Sequence, residues 1–202
     1  MNTNDRKQET VDTYNKKAVA LAQKFDSQGA RVDDIDFAFS LLNKINPKVL
    51  EIGCGNGRDA AEILKKTNNY IGLDISEGLI ALARQKVPAG QFEVVDITNY
   101  EFPTDIDIVF AFASLIHVQK DELATIFKKL YSALNTGGVI HLSMKYAENY
   151  IESTKEDQFG VRTYYLYSLE EIKELAEGFT VVKSDVHDLR DQIWMDVVLQ
   201  KK

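Results

Sequence analysis

The spacing of apolar positions changes from helical to strand-like and back along the chain. Over residues 8 to 25, Val11, Tyr14, Ala18, Leu21, Ala22 and Phe25 recur at helical spacing, with Lys16, Lys17 and Lys24 on the other side. Ile35, Phe37, Phe39, Leu41, Leu42 and Ile45 predict a second helix over 31 to 45. Strand-like runs then alternate with helical ones. The predicted strands are 49–52, 70–74, 92–95, 107–112 and 139–144; the predicted helices are 58–66, 78–86 and 121–134. The continuous apolar character of 107–112 suits a strand buried on both faces. Gly137-Gly138 are expected to end the helix before them. Pro47, Pro88 and Pro103 each precede an apolar run and read as entry turns to strands.

The tail follows another rule. Ser168 and Glu171 have capping-box spacing and open a helix to about Glu177. Two apolar runs, 179–186 and 193–199, follow with only the polar stretch 188–191 between them, so they should pair antiparallel. The expected fold is α/β. It is a doubly wound, Rossmann-like sheet of seven strands, five parallel plus a C-terminal antiparallel hairpin, with helices on both faces. No repeat or linker divides the chain, and a single domain is expected over 1–202. Its parts are an N-terminal helical cap (1–46), a cofactor-binding core (47–145), and a substrate-side insert with the last helix and the hairpin (146–202).

Composition narrows the functions. Lys plus Arg is 24 and Asp plus Glu 31, a net charge of −7, which argues against a broad nucleic-acid face. One cysteine, Cys54, excludes an intramolecular disulfide and a Cys-rich zinc site. No apolar run approaches the roughly 18 residues of a membrane span, and the polar start carries no apolar signal core. A cytoplasmic protein, monomer or homodimer, without membrane association is expected.

In a doubly wound sheet, ligands sit at the carboxyl ends of the strands. The loop after the first strand reads Glu51-Ile52-Gly53-Cys54-Gly55-Asn56-Gly57. It meets the first half of the dinucleotide pattern G-x-G-x-x-G, but its sixth position is Arg58. Asp74 ends the second strand, where a carboxylate can accept from both hydroxyls of a ribose. Asp96 follows the third strand. Each has a simpler reading, Asp74 as a helix N-cap and Asp96 as a turn residue.

This set, with Gly72-Leu73-Asp74-Ile75-Ser76 and Val95-Asp96-Ile97, resembles the class I S-adenosylmethionine-dependent methyltransferases over most of the chain. Ala113-Ser114-Leu115-Ile116-His117-Val118 and Arg162-Thr163-Tyr164-Tyr165 resemble segments of bacterial small-molecule members related to tellurite-resistance types. The family's Leu-Lys-Pro-Gly-Gly turn reads Leu134-Asn135-Thr136-Gly137-Gly138, without the proline. The resemblance implies S-adenosylmethionine as cofactor. It puts Gly53, Gly55 and the Gly57 region, with Cys54 and Asn56, near the methionine part, and Glu51 under the loop. Asp74 takes the ribose, Ile75 packs on the adenine, Asp96 and Ile97 meet the adenine edge, and Ala113 closes the pocket. Tyr14 lies over the methionine end.

His117, with an ordinary pKa near 6.5, is the candidate base, and Tyr14 a candidate positioner. Lys145, Tyr146, Arg162, Tyr164 and Tyr165 are candidate acceptor residues, because aromatics with two cations suit a small, partly anionic acceptor. His141 and His187 read as structural, Cys54 as a small loop residue, and Asp33, Asp34 and Asp36 as a solvated face. No metal site is expected. The segment Ala111-Phe112-Ala113-Ser114 lacks the Asn/Asp-Pro-Pro-aromatic motif of amino-methylating DNA enzymes, and lacks the acids of tetrad or metal-dependent types. The expected activity is methyl transfer to an O, N or S atom of a small molecule. The rivals are a NAD(P)-dependent oxidoreductase and a non-catalytic S-adenosylmethionine-binding protein.

Overall fold

The computed structural model describes residues 3–189 and 191–202. Met1, Asn2 and Arg190, which the readings of the start and of the hairpin turn include, lie outside them. A seven-stranded sheet runs in the order β3-β2-β1-β4-β5-β9-β8. Its strands are β1 (Val49–Ile52), β2 (Tyr70–Asp74), β3 (Gln91–Val94), β4 (Ile106–Phe112), β5 (Leu134–Lys145), β8 (Phe179–Leu189) and β9 (Gln192–Lys201). The first five are parallel, while β9 runs antiparallel to β5 and β8 antiparallel to β9.

Alternate residues of the central strands face separate cores. Leu50, Ile52, Val109 and Ala111 join one core with α6 (Lys120–Ala133) and α7 (Leu169–Leu175). Val49, Ile108, Phe110 and Phe112 join the other with α3 (Val32–Ser40), α4 (Ala60–Ile63) and α5 (Glu77–Lys86). This two-sided burial explains the unbroken apolar run of β4. Among the described residues no helix is long and apolar enough to cross a membrane.

The structure corrects four expectations. The helix read over 8 to 25 is two helices, α1 (Thr3–Lys16) and α2 (Ala18–Asp26), broken at Lys17. Beyond the break, Ala18 and Ala22 of α2 pack on Leu79 of α5. The helix read over 31 to 45 stops at Ser40, and Ile45 is 97% exposed. Pro47 disfavours helical backbone at Asn46, which turns instead at φ 55°. Gly137-Gly138 do not end α6. That helix passes into β5 at Leu134, and the glycines form an irregular stretch inside the strand, where the register to β4 shifts.

The fourth correction is an unforeseen two-stranded sheet, β6 (Ile151–Asp157) with β7 (Gly160–Leu166). The β6 sequence Ile-Glu-Ser-Thr-Lys-Glu-Asp is almost wholly exposed, so it carries no hydrophobic alternation. Its partner β7 has Arg162, Thr163, Tyr164 and Tyr165 buried, and it packs against α1. Thr13 Oγ1 donates to the Val161 carbonyl at 2.7 Å, and the Thr163 N–H donates to Thr10 Oγ1 at 3.0 Å. The capping box of α7 forms as expected, from Ser168 and Glu171.

Candidate active site

A cleft of about 580 Å3 opens at the carboxyl ends of the parallel strands. Its floor is the loop after β1, and α1 and β7 contribute Thr10, Tyr14, Arg162 and Tyr164 to its walls. Gly53 takes φ 72°, and a Cβ there would stand 2.1 Å from Ser114 Cβ, so no side chain fits. The Gly55 N–H donates to Asp74 Oδ2 at 2.9 Å, locking the loop to the end of β2. Asn56 ties it to α2 by donating to Asp26 Oδ1 at 2.8 Å.

Asp74 is not the cap of α5. Ser76 caps that helix, accepting from the Leu79 N–H, and itself donates its backbone N–H to Asp74 Oδ1 at 2.8 Å. Burial raises the Asp74 carboxyl above its ordinary value, against the pull of the Ser76, Gly55 and Ile75 backbone. Asp96 also lines the cleft, with a different balance. Partial burial would raise it, but Lys7 of α1, 2.7 Å away, and Thr98 outweigh burial and hold it below its ordinary value. Glu51 accepts from the Tyr70 hydroxyl at 2.5 Å. Burial, with Asp59 adding, pushes its carboxyl up to about 8. Burial likewise raises the Cys54 thiol, so Cys54 is a neutral packing residue of the loop.

At the other end of the cleft, Tyr14 and His117 meet from opposite sides. The Tyr14 hydroxyl lies 2.9 Å from His117 Nε2, and His117 Nδ1 lies 2.6 Å from the Thr163 carbonyl. A carbonyl only accepts, so Nδ1 carries the proton and Nε2 accepts from Tyr14. Burial, with the Arg162 and Lys145 charges, lowers His117 to about 4. It is neutral at pH 7, and its one free lone pair is already engaged. Burial also raises the Tyr14 hydroxyl, against Arg162. Arg162 forms an ion pair with Asp157, and its Cζ lies 5.6 Å from the Tyr164 ring centroid.

Fifteen of the candidate residues, among them Ile75, Ile97 and Ala113, share the cleft; Gly57, Tyr146 and Tyr165 lie off it. Gly57 packs on α5, where a Cβ would stand 3.3 Å from Ala83. Tyr165 points to the other side of β7 and stacks on Tyr150 at 10°. Tyr146 pairs with Tyr167 in an isolated bridge and packs on the core behind the site. Alternation along β7 and β5 sends neighbours to opposite faces, so adjacent tyrosines cannot share one pocket. Sequence reasoning missed Lys7, Thr10, Gln192 and Trp194 on the cleft. Trp194 is the chain's one tryptophan, on a predicted strand, and was the legible signal.

The residues fit the cofactor that the resemblance implies. Asp74 and Asp96 end or follow adjacent strands, Gly53 leaves backbone bare beside them, and Ser114 Oγ is buried there without a hydrogen-bond partner. The sheet counts against a dinucleotide oxidoreductase, whose sixth strand continues the parallel order, because here an antiparallel hairpin closes the edge.

Residues 49–138 match the family model of the methyltransferase domain. Among curated proteins, the trans-aconitate 2-methyltransferase of Acidovorax sp. (strain JS42) is 34% identical over 131 residues, 62% of this chain and 48% of that protein. The malonyl-[acyl-carrier protein] O-methyltransferase 1 of Ilyobacter polytropus is 30% identical over 68% of this chain and 54% of its own length. The chain thus spans about half the length of the curated relatives it matches. Among solved structures, the 1,6-didemethyltoxoflavin-N1-methyltransferase of Burkholderia thailandensis superposes with a TM-score of 0.73 at 17% identity, over 97% of this chain and 87% of that one. At that identity the likeness concerns the fold. Residues 49–138 thus match a methyltransferase domain, and the acids at the ends of adjacent strands and the reversed hairpin at the sheet edge agree with the resemblance to the class I S-adenosylmethionine-dependent methyltransferases.

Proposed function

We propose that this chain transfers a methyl group from S-adenosylmethionine to an O, N or S atom of a small-molecule acceptor. The observation that carries the reading is one cleft with Asp74 and Asp96 at one end, the bare Gly53 backbone between, and Tyr14, His117, Lys145 and Arg162 at the other. The relatives named for trans-aconitate and for 1,6-didemethyltoxoflavin support a small acceptor.

When bound, S-adenosylmethionine supplies a methyl carbon made electrophilic by its sulfonium. In this reading Asp74 accepts from the ribose hydroxyls, Ile75 and Ile97 give apolar walls to the adenine, and Asp96 meets its edge. Gly53 and Gly55 leave room for the methionine end, with Glu51, Cys54 and Asn56 shaping the loop and Ala113 closing it. Tyr14 and His117 orient the acceptor and exclude water. His117 is a poor base, because its proton affinity is low and Tyr14 occupies its lone pair. The reading therefore favours acceptors that present a lone pair without proton removal by the protein.

Calorimetric titration with S-adenosylhomocysteine tests the reading. Asp74→Ala is expected to weaken binding about tenfold or more, as loss of a charge-assisted hydrogen bond does. Unchanged affinity removes Asp74 from the ribose site, and binding of NAD in place of S-adenosylhomocysteine restores the oxidoreductase reading. Methyl transfer into a metabolite mixture separates catalysis from binding alone.

A further inference from the structure

Removing an ammonium from water costs several kcal/mol, so buried lysines are paired with acids or lose their charge. Lys145, at the end of β5, is 8% exposed and lines the cleft. Among the described residues, no carboxylate forms an ion pair with it. Its ammonium donates to Gln192 Oε1 and stands 3.8 Å from the Tyr164 ring centroid and 5.9 Å from that of Trp194. Lys155, Arg162 and Lys24 face it, and the acid acting on it, Asp157, is already ion-paired with Arg162. Arg162 is 7% exposed, and its Nε is buried without a hydrogen-bond partner. In a chain of net charge −7, Lys155, Arg162 and Lys24 surround Lys145 in one corner and outnumber Asp157, the acid acting on it.

We propose that this corner is the acceptor subsite of the methyltransferase reading above, on which it rests. It takes a small organic carboxylate with a flat, unsaturated body, the carboxylate between Lys145 and Arg162 and the plane against Trp194, while Tyr164 backs the Lys145 ammonium. One ammonium, plus a guanidinium half committed to Asp157, balances a single negative charge better than a phosphate dianion. The Trp194 ring on the cleft gives a flat wall that suits a planar body. Burial, with Lys155, Arg162 and Lys24 adding and Asp157 opposing, lowers Lys145 to about 8. A bound anion would restore its proton affinity.

The test is calorimetric titration, with and without saturating S-adenosylhomocysteine, using trans-cinnamate, fumarate, their neutral amides and inorganic phosphate. At least one acid is expected to bind about tenfold or more tightly than its amide, and more tightly than phosphate. Lys145→Gln is expected to abolish most of that preference, and Lys145→Arg to retain it. Above pH 8 the preference should fall in the wild type, as the ammonium loses its proton, and hold in Lys145→Arg. Equal binding of acid and amide, binding of none of the probes, phosphate binding as tightly as the acids, or a preference unchanged in Lys145→Gln overturns the proposal. S-adenosylhomocysteine binding to both wild type and Lys145→Gln would leave the methyltransferase reading standing in each of those cases. Its failure to bind the wild type overturns that reading instead.

Discussion

At the scale of single residues, burial decides the charge of the groups around the cleft more than their chemical identity does. Glu51 and Asp96 are both acids beside the ligand site, yet their proton affinities move in opposite directions. Glu51 meets a tyrosine hydroxyl in the core, whereas Asp96 meets a lysine at its edge. The Glu51 shift has a testable sign. Its carboxyl titrates near 8 folded and near 4.5 unfolded, so its contribution to stability is complete below pH 4.5 and is lost as pH rises toward 8. Glu51→Gln keeps an acceptor for Tyr70 and removes the titration. Relative to the variant, the wild type should lose up to about 1.4 kcal/mol per pH unit across that window, measured by urea unfolding at several pH values. Equal slopes would place an ionised carboxylate in the core. His117 shows what sequence could not supply. Its candidacy as a base rested on an ordinary imidazole, whereas burial, with the Arg162 and Lys145 charges, lowers its proton affinity and the Tyr14 hydroxyl, distant in the chain, engages its Nε2.

At the scale of elements, α1 and β7 form one unit across the mouth of the cleft. Two threonines of a largely polar helix bind the backbone of a short strand. The Thr163 N–H is buried and depends on Thr10 Oγ1. Thr10→Val keeps the shape and leaves that donor unmet, so a loss of about 1–3 kcal/mol is expected in chemical denaturation. A change below about 0.5 kcal/mol would mean that this hydrogen bond contributes little net stability. The helix–strand alternation of the core was legible because each central strand presents apolar residues to two faces and each flanking helix to one. The β6–β7 pair was not. Its outer strand is exposed, and its inner strand buries Arg162 and Tyr164 against the site and turns Tyr165 to the other side.

At the scale of the whole molecule, ligand and fold should be linked. The cleft draws on both chain ends, from Lys7 in α1 to Trp194 in β9. S-adenosylhomocysteine at about 100 times its dissociation constant should add about 2.7 kcal/mol of stability. Amide exchange should slow across residues 3–16 and 160–166 as well as in the loop at 53–57. Protection confined to the loop would show that α1 and β7 do not share in holding the ligand.

The sequence by itself determined the alternation of five parallel strands with helices, the reversed hairpin, the glycine loop and the acids at successive strand ends. Each is written in local periodicity or short-range backbone chemistry. The tertiary structure alone decided which residues share the cleft. It brought Tyr14 to His117 and Lys7 to Asp96, and left Lys145 buried beside Tyr164 without an acid. It turned Tyr146, Tyr165 and Gly57 away. Those outcomes depend on packing between segments far apart in the chain, which no local pattern encodes.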